Sequence, residues 1–513
     1  MYFGTSTISV QNGFNASLIK VEVSDNGPGV GIEIVGMAGA SLQESKSRIL
    51  TASRHLIIGI PKRKVIVNLL PASEKKTGST YDLAIFAGML GMFFSVGSAI
   101  ADYMFYGEIA FSGDLCPVNG CLSAALKAKE AKCRALFVPA ANAREAAVVE
   151  GITVYGVANL TELVHHLFGE RELAPVKPYD IGSDENAFSD FGGNDFRYVK
   201  GHYEAKKAIE VAVAGFHNVL MLGSAGTGKS MLAKCIPSIM PRMTFTEMLE
   251  VTQIHSIAGT LDRDSPIMKT RPFRNISHNS TMVSLQGGQN RPGEISLAHR
   301  GVLFMDELPE FSESVIDSLR VPLETGVAVV SRAAMKCEYP CNFMLVAAMN
   351  PCKCGNYGSR NRPCTCTANM VRRYLGKLSR PFLDRIDIQI EVPQIPYEMM
   401  AKKSKTQTSF EMRQRVIRAR QIQEERFKGT RIHFNSQITP EYIDDLCRVS
   451  SSARDLIGQL FQKLNISSRA HDKIIKLART IADLSEKDDV DVACVAEAVR
   501  YHTLERKYWD RQV

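Results

Sequence analysis

Short apolar runs recur through the middle of the chain, and each is followed by glycine-rich or polar sequence. Residues 218–222, 301–305 and 343–347 are such runs. Each has the length and the nearly continuous apolar character of a strand that is buried in a parallel sheet. Good helix formers follow the first run, and we expect the helix that they form to end near Pro237. The pattern therefore predicts an α/β domain with a parallel sheet.

The flanking regions show different patterns. In residues 1–170 we predict an α+β domain, with strands over 18–23, 31–35, 65–70 and 136–139 and helices over 41–54, 81–90, 123–134 and 143–150. Residues 171–194 have no apolar period and are typical of a linker. After it, a helix over 204–214 opens an α/β domain of residues 195–400. The fold class is thus α/β multidomain.

Residues 401–513 favour an all-α region. Thr408 and Glu411 match a capping box, and further helices are predicted over 440–448, 453–464, 468–485 and 491–501. The first helix carries Arg413, Arg415, Arg418 and Arg420. A solvated helix face is the ordinary interpretation of such a run, and a basic binding face is the alternative.

The segment over 83–101 has no charged residue and is long enough to span a bilayer. It contains Gly88, Gly91 and Gly97, and it is flanked by Asp82 and Asp102 in place of lysines. We therefore expect a buried helix followed by a turn, and no membrane association. The first basic residue is Lys20, so the amino-terminal sequence does not have the charge pattern of a secretory signal and we expect a cytoplasmic protein.

Composition is that of ordinary globular domains, since 45% of the 513 residues are hydrophobic and 23% are charged. The length predicts more than one domain. The formal net charge of +8 permits a nucleic-acid partner without requiring one.

A complete phosphate-binding motif, G-x-x-x-x-G-K-S, follows the first apolar run. It consists of Gly223, Ser224, Ala225, Gly226, Thr227, Gly228, Lys229 and Ser230. A strand, a glycine loop and a helix start direct backbone N–H groups at a polyphosphate. We expect ATP here, with Lys229 on the outer phosphates and Ser230 holding Mg²⁺.

The other two apolar runs end in polar residues that suit the same reaction. Asp306 and Glu307 follow the second run, and we expect Asp306 to hold Mg²⁺ and Glu307 to orient the attacking water. Asn350, after the third run, could bond the γ-phosphate or the water, although asparagine before proline is also a common turn.

Two arginines are candidates to stabilise charge on the transferred phosphoryl group. Arg385 lies in Leu383-Asp384-Arg385-Ile386-Asp387, and Arg469 lies near the start of a C-terminal helix. By spacing alone, either could equally be a surface ion-pair partner.

Four of the twelve cysteines form two C-x-C pairs, namely Cys352 with Cys354 and Cys364 with Cys366. Their spacing is compatible with a structural Zn²⁺ site of four thiolates, and four reduced thiols without metal are the alternative. Seven Lys or Arg and no acid lie between Cys352 and Leu383, so this site would sit in a basic segment. The other eight cysteines have apolar neighbours, as small core residues do.

The amino-terminal region resembles the Lon-protease proteolytic domain and its ribosomal-S5-like fold. The resemblance rests on residues 107–109, Gly113, residues 117–120 and residues 138–142. That family cuts with a Ser–Lys pair, but Ser79-Thr80-Tyr81-Asp82 replaces its P-S-A-G motif and no lysine lies at 122–124. Ser79 or Thr80 with Lys127 or Lys129 is the remaining possibility, which the spacing does not support. We expect a catalytically inactive platform.

The rest of the chain resembles the AAA+ ATPases, within them the magnesium-chelatase-like group, and most closely the ComM/YifB family. The motifs are residues 199–201, 291–299, 301–307, 347–352, 383–387 and 468–470, in this order. The resemblance implies that Asn350 is sensor 1, that Arg385 is a finger acting on the neighbouring subunit, and that Arg469 is sensor 2. It implies a homo-oligomeric ring, most commonly a hexamer.

Two features qualify the resemblance. The phosphate loop has Ser224-Ala225 where two prolines are usual in the family, which changes its stiffness and removes no functional group. Residues 327–339 resemble a hairpin that this clade directs into the ring pore. Its Arg332 and Lys336 are either contacts for a phosphate backbone or ordinary exposed charges.

Three functions follow as hypotheses. The first is a ring ATPase that moves along single-stranded or branched DNA, a helicase or branch-migration factor in recombination of incoming DNA, as the ComM resemblance implies. The second is a chelatase-like chaperone or insertase ATPase. The third is a Lon-like protease, which the missing lysine disfavours.

Overall fold

The computed structural model describes residues 2–9, 14–37, 39–56, 62–94, 96–179, 193–262, 264–288, 291–332, 335–359, 362–398, 406–464 and 467–509. Within these ranges the amino-terminal region forms a mixed seven-stranded sheet. In spatial order its strands are Gly31–Val35, Arg63–Leu70, Ser17–Pro28, Tyr2–Ser9, Tyr103–Phe105, Ala135–Pro139 and Thr153–Val157. Pairing is antiparallel on both sides of Ser17–Pro28 and parallel elsewhere.

Helices cover this sheet, and a small ladder joins Glu108–Ile109 to Leu115–Cys116. The helices are Ala40–Ser53, Asp82–Phe93, Gly97–Ile100, Cys121–Glu130, Ala143–Ala146 and Leu160–Leu167. The uncharged segment forms the buried helix Asp82–Phe93, as expected. Within the described part of the chain, no helix combines the length and apolarity that a bilayer crossing requires.

Two predicted helices end earlier than expected. The helix expected over 123–134 is Cys121–Glu130. The sequence indicates a helix over 143–150, but the helix ends at Ala146. The N–H groups of Val148 and Val149 bond to carbonyls three residues earlier, and Gly151 adopts a φ of +88° before the next strand. The tighter turn reverses the chain and keeps both valines in the core.

The central region is built on a parallel five-stranded sheet, counted within the described residues. In spatial order the strands are Phe273–Ile276, Val302–Met305, Met344–Met349, Val219–Leu222 and Ile388–Glu391. Three of them are the predicted apolar runs, and all their residues are buried. The α/β class with a parallel sheet and a helical C-terminal region is confirmed.

Helices pack on both faces of this sheet. They are Tyr203–Gly215, Lys229–Ile239, Phe245–Ala258, Met282–Gln286, Glu294–Leu297, Glu313–Ser318, Arg320–Thr325, Ala368–Leu375 and Arg380–Leu383. A hairpin pairs Val327–Arg332 with Met335–Pro340, and a smaller one pairs Gly287–Gly288 with Arg291–Pro292. The helix after the phosphate loop ends at Ile239, two residues beyond Pro237, as expected for an end near the proline.

The C-terminal helices are Ser409–Arg426, Ile443–Cys447, Ser451–Leu464, Ser468–Leu484, Val492–Arg500 and Thr503–Tyr508. The capping box is confirmed, since Thr408 and Glu411 bond to each other's backbone N–H. The arginines of the first helix are mostly structural. Arg413 donates to the Ser238 carbonyl, Arg415 pairs with Glu210, and Arg420 lies 3.9 Å from the centre of the Phe434 ring. Arg418 pairs with Glu486. This helix is therefore fastened to the central region and is not a purely solvated face.

The helix Phe245–Ala258 joins the amino-terminal and central regions. Its Met248 and Val251 share one apolar core with Leu122, Ala125 and other residues of the first region. Ser256 donates to the buried carboxylate of Glu145, whose oxygen also accepts from the Leu122 N–H at 2.9 Å. The two regions therefore share a packed interface instead of being joined only through residues 171–194, of which 180–192 lie outside the described residues.

Candidate functional site

The phosphate loop has the geometry that its sequence predicts. It connects the strand Val219–Leu222 to a helix that starts at Lys229. Gly226 and Gly228 adopt φ values of +76° and +87°, which residues with a side chain rarely take. Backbone N–H groups and the positive end of the helix dipole at such a helix start suit an anionic group such as a polyphosphate.

Lys229 lies at the centre of this loop. Its ammonium donates to the carbonyls of Gly223 and Ser224 at 2.7 and 2.9 Å and to the Asn350 amide oxygen at 3.2 Å. Burial lowers the pKa of Lys229, and the nearby carboxylates of Asp306 and Glu307 oppose that shift. Its three hydrogen-bond acceptors are neutral oxygens, so the arrangement suits an anionic group that would complete the charge balance.

The residues expected to hold Mg²⁺ are in contact. The Ser230 hydroxyl donates to Asp306 Oδ2 at 2.6 Å. Asp306 follows the strand Val302–Met305. One strand, Met344–Met349, lies between it and the strand of the phosphate loop. A hydroxyl and a carboxylate held this close fit the oxygen ligation of Mg²⁺, which keeps several waters and binds through few protein groups.

Glu307 adopts a left-handed backbone conformation. Its φ is +51°, and its N–H donates to Asp306 Oδ1 at 2.9 Å. Such a conformation costs on the order of 1 kcal/mol for a residue with a side chain and is frequent at functional sites. The turn separates the directions of two adjacent carboxylates, leaving Asp306 on Ser230 while Glu307 is exposed.

Asn350 follows the strand Met344–Met349, which lies between the strands of Asp306 and the phosphate loop, and its amide oxygen accepts from Lys229. The structure therefore brings Gly223 to Ser230, Asp306, Glu307 and Asn350 together at the carboxyl ends of three adjacent strands. This is the edge at which parallel α/β sheets bind their ligands.

His202 is a further residue of the site that the sequence pattern did not predict. It follows Val199-Lys200-Gly201 directly and has a φ of +53°. One ring nitrogen donates a hydrogen bond to the Thr227 backbone carbonyl, and Nδ1 is buried without a hydrogen-bond partner. Burial lowers its pKa, which favours the neutral ring. Its position beside a recognised motif was the only available signal, because contact with the loop depends on the fold.

Both candidate arginines lie away from this site. Arg385 precedes the strand Ile388–Glu391, whereas the phosphate loop follows the parallel neighbour of that strand, so the two occupy opposite ends of the sheet. A four-residue strand spans about 13 Å. Arg469 lies with Arg385, since its guanidinium is 3.9 Å from the carboxylate of Asp384.

Buried polar contacts fix the turn that carries Arg385. Asn218 donates to the Arg385 carbonyl at 3.0 Å, and Lys473 donates to the Ile386 carbonyl at 2.9 Å. Burial would raise the pKa of Asp387, but hydrogen bonds and charge from His217, with Lys473 and the Asn218 N–H, hold it at about 2. The helix Ser468–Leu484, which carries Arg469, thus holds the backbone beside Arg385.

The Arg385 side chain has an exposed partner. Its guanidinium donates to Glu324 at 2.5 Å, at the end of the helix Arg320–Thr325. The hairpin Val327–Arg332 with Met335–Pro340 follows immediately. The side chains of Arg332 and Lys336, the expected contacts of that hairpin, lie outside the described residues.

The four paired cysteines converge. Their sulfur atoms all lie within 4.8 Å of one another, and three Sγ–Sγ distances are 3.3, 3.5 and 3.7 Å. Tetrahedral Zn²⁺ with sulfur ligands at about 2.3 Å needs sulfur atoms about 3.7 Å apart, so Cys352, Cys354, Cys364 and Cys366 fit this ion. Backbone N–H groups of Asn356 and Thr365 lower the pKa of Cys354, favouring the thiolate that binds metal. Of the other eight cysteines, Cys116 and Cys133 are half-buried and six are buried.

The serine and lysine candidates of the amino-terminal region have separate partners. Ser79 donates to Glu108, and Lys127 pairs with Glu130 at 3.0 Å on the surface. Within the described contacts, no serine–lysine pair forms. Ser123, near the place where the lysine of a Lon-type pair would fall, bonds to Gln253 of the helix Phe245–Ala258.

Three family models match the chain, and all describe the same protein subunit. "Subunit ChlI of Mg-chelatase" matches residues 19–142, "Magnesium chelatase, subunit ChlI" matches 195–400, and "Magnesium chelatase, subunit ChlI C-terminal" matches 406–502.

Individual proteins are similar over nearly the whole chain. The competence protein ComM of Haemophilus influenzae is 36% identical over 499 residues, which are 96% of each chain. The uncharacterized protein YifB of Escherichia coli is 35% identical over 500 residues, again 96% of each. The magnesium-chelatase 38 kDa subunit of Cereibacter sphaeroides is 24% identical over 174 residues, which are 30% of this chain and 52% of that subunit.

Proposed function

Because the chain belongs to the magnesium-chelatase-like AAA+ family that includes ComM and YifB, we propose that it is an ATP-hydrolysing ring motor that acts on DNA. Lys229 binds the outer phosphates of ATP, and Ser230 and Asp306 hold Mg²⁺. Glu307 orients and polarises the attacking water, and Asn350 bonds the γ-phosphate or that water. Bound Mg²⁺ neutralises charge that develops on the phosphate oxygens.

The observation that carries this proposal is the division of the site between two ends of one sheet. The nucleotide-binding groups lie at the carboxyl ends of the strands, while Arg385 and Arg469 lie at the opposite end. An arginine there is separated from the loop of its own chain by the strand length of the sheet. It reaches a phosphate only on a neighbouring copy, so catalysis needs a closed homo-oligomer, which we propose to be a hexamer.

Two features support DNA as the substrate of the motor. The chain is similar over 96% of its length to a competence protein. The segment from Cys352 to Leu383 also carries seven basic and no acidic residues, a composition that suits contact with a phosphate backbone. We propose branch migration or strand unwinding of single-stranded or branched DNA, in the cytoplasm.

A chelatase-like chaperone or insertase ATPase is the second candidate. The observation in its favour is that all three family models describe a magnesium chelatase subunit. The similarity to the chelatase subunit itself covers only 30% of this chain, which favours the DNA motor. Lon-like proteolysis has no support in the geometry, because Ser79 and Lys127 have separate partners.

We further propose that Cys352, Cys354, Cys364 and Cys366 hold a structural Zn²⁺. Four thiolates leave no open coordination position, so the ion would stabilise this segment and take no part in the chemistry.

The test compares ATP hydrolysis with and without single-stranded and forked DNA, beside displacement of a labelled strand. We expect both DNA forms to raise the rate and the forked form to lose its labelled strand, with the Glu307→Gln variant inactive in displacement. ATP hydrolysis by the assembled wild-type ring without binding or remodelling of any DNA form would contradict the DNA assignment and leave the chelatase-like alternative.

A further inference from the structure

The cysteine segment, which consists of residues 352–359 and 362–366 of the described chain, contacts the phosphate loop. It begins two residues after Asn350, whose amide oxygen contacts Lys229. Its first turn is closed by the Gly355 N–H, which donates to the Cys352 carbonyl at 3.0 Å, and Gly355 has a φ of +80°. The Tyr357 N–H donates to Cys352 Sγ at 3.3 Å. The position of the Gly355 carbonyl therefore depends on how Cys352 and Cys354 are held.

That carbonyl is the hydrogen-bond acceptor for a residue of the phosphate loop. The Ser224 hydroxyl donates to the Gly355 oxygen at 2.8 Å, across 131 residues of sequence. A Cβ atom at Gly355 would lie 3.7 Å from the Ala225 nitrogen, so the two backbones approach closely. Ser224 and Ala225 place no ring constraint on the loop, in contrast to proline. We call the contact between Ser224 and Gly355 the brace. It restrains the phosphate loop at a place where the loop sequence has no proline to do so.

The opposite side of the cysteine segment is also held. The Tyr357 ring meets the Tyr508 ring edge-on at 6.1 Å, and the Tyr508 hydroxyl donates to Glu391 at 3.0 Å. Glu391 ends the strand beside that of the phosphate loop. Between these contacts lies a cavity of about 530 Å³ lined by Ser224, Tyr357, Glu391 and Tyr508 among others. The brace is thus a direct link across a loosely packed region, and the loop has space to move when it is lost.

We propose that the four-cysteine site, with Zn²⁺ bound, positions the phosphate loop through the brace, so that loss of the metal weakens nucleotide binding. Zn²⁺ fixes the four sulfur atoms and with them the turn at Gly355. Without it, the thiols no longer define one geometry for the turn, and the Ser224 hydroxyl loses a fixed acceptor. This inference rests on the proposed binding of ATP at the phosphate loop and adds a metal- and thiol-sensitive control of that same site.

The test is a cycle of two changes read out as nucleotide affinity. Wild type and Ser224→Ala are each prepared with Zn²⁺ and, under reducing conditions, after a chelator that is then removed. Zinc content is measured, and a fluorescent ATP analogue is titrated in the presence of Mg²⁺. Removing one neutral hydrogen bond weakens affinity by about two- to tenfold. We expect that loss for zinc removal from wild type, the same loss for zinc-loaded Ser224→Ala, and no further loss when both changes are combined.

Two matched controls isolate the effect. Ser112→Ala makes the same chemical change at an exposed serine of the amino-terminal region, and Cys133→Ser changes a cysteine outside the cluster. Both are expected to keep wild-type affinity and zinc content. If zinc removal unfolds the protein, the test rests on zinc-loaded Ser224→Ala. Wild-type affinity for the ATP analogue in that variant would overturn the proposal.

The other outcomes also separate the hypotheses. If zinc removal weakens the nucleotide affinity of wild type and of Ser224→Ala equally, the metal acts without the brace, and the inference is overturned. Nucleotide binding that is insensitive to zinc and to Ser224→Ala would contradict the brace alone. Absence of nucleotide binding by zinc-loaded wild type would contradict the proposed ATPase function, and the brace with it.

Discussion

Two adjacent carboxylates take different positions because of one backbone angle. Asp306 accepts the Ser230 hydroxyl, while the positive φ of Glu307 leaves its side chain exposed. From the sequence, Asp306 and Glu307 were predicted to be a metal ligand and a water-orienting residue. The left-handed turn that separates their directions was not, because glutamate seldom adopts this conformation.

The division of roles between Glu307 and Lys229 predicts two distinct defects. Glu307→Gln keeps the size and position of the side chain but removes the base, so it should bind ATP normally and hydrolyse it about 10²- to 10⁴-fold more slowly. Lys229→Ala removes the ammonium that meets the phosphates and should weaken binding itself. Titration of an ATP analogue, beside the rate of phosphate release, separates the two.

Equal loss of affinity in both variants would contradict this assignment. It would place Glu307 in nucleotide binding instead of water activation. Glu310→Gln is a suitable control, because it makes the same change at an exposed glutamate three residues later and should leave both measurements unchanged.

At this scale, the sequence predicted which residues lie together where that follows from local order along the chain. The loop, Asp306 and Asn350 each follow an apolar strand, and parallel strands bring their carboxyl ends to one edge. The contacts of Ser224 with Gly355 and of Arg385 with Glu324 join residues 131 and 61 positions apart. No local pattern encodes such pairs, since they depend on how elements pack.

The helix Phe245–Ala258 is the element that connects the amino-terminal region to the strand of Asp306. Its Glu250 accepts from His299 and Arg300, just before that strand, at 3.2 and 2.9 Å. Its Glu247 pairs with Arg271 at 2.9 Å. The same helix packs on the core of the first region. The helix therefore contacts the central region through ion pairs and the amino-terminal region through packed side chains.

The Glu250 contacts predict a pH dependence of stability. Burial would raise the pKa of Glu250, but the hydrogen bonds and charges of His299 and Arg300 lower it to about 2. A carboxyl with a lowered pKa stabilises the fold above its unfolded value near 4.5, and that contribution is lost as pH falls toward 2. Wild type should exceed Glu250→Gln in unfolding free energy by about 1 kcal/mol at pH 7.

Urea unfolding at pH 7, 5 and 3 measures this difference, which should shrink below pH 4.5 or so. Glu441→Gln, at an exposed glutamate, should match wild type throughout. If the difference in unfolding free energy between wild type and Glu250→Gln stays constant down to pH 3, ionisation of Glu250 does not stabilise the fold.

An element could be predicted from the sequence when its apolar residues all lie on the buried face and its polar residues on the exposed face. The C-terminal helices were predicted within two residues at most boundaries, because they bury one apolar stripe. The helix Phe245–Ala258 was not predicted, since it buries Thr252, Gln253, His255 and Ser256 as well as its apolar residues. The edge strand Phe273–Ile276 was missed for a related reason, as only Ile276 is fully buried.

At the scale of the whole molecule, the proposed functional residues lie at two opposite ends of the central sheet. One end carries the phosphate loop, Asp306 and Asn350, and the other carries Arg385 and Arg469. A ring with head-to-tail contacts brings the second end of one copy to the first end of the next. The order of motifs in the sequence resembled a family with this organisation. The placement of Arg469 beside Asp384, at the end opposite its own loop, became evident only in the structure.

The most direct test of this shared site mixes two inactive variants. Glu307→Gln lacks the proposed water-orienting carboxylate but keeps Arg385. Arg385→Ala keeps the phosphate loop, Asp306 and Glu307 but has no arginine for the site of the neighbouring copy. If each site is formed by two copies, a mixed ring contains interfaces with Glu307 from one variant and Arg385 from the other. In a randomly assembled equimolar ring, about a quarter of the interfaces are complete.

The measurement is the ATP hydrolysis rate of the two variants alone and after assembly together in equal amounts. Both should bind nucleotide and hydrolyse it very slowly when alone, and the mixture should recover up to about a quarter of the wild-type rate if the sites act independently. The proposal that two copies form each site would be contradicted by a mixture that forms rings yet stays as inactive as its components. Normal turnover by an Arg385→Ala ring would contradict it as well.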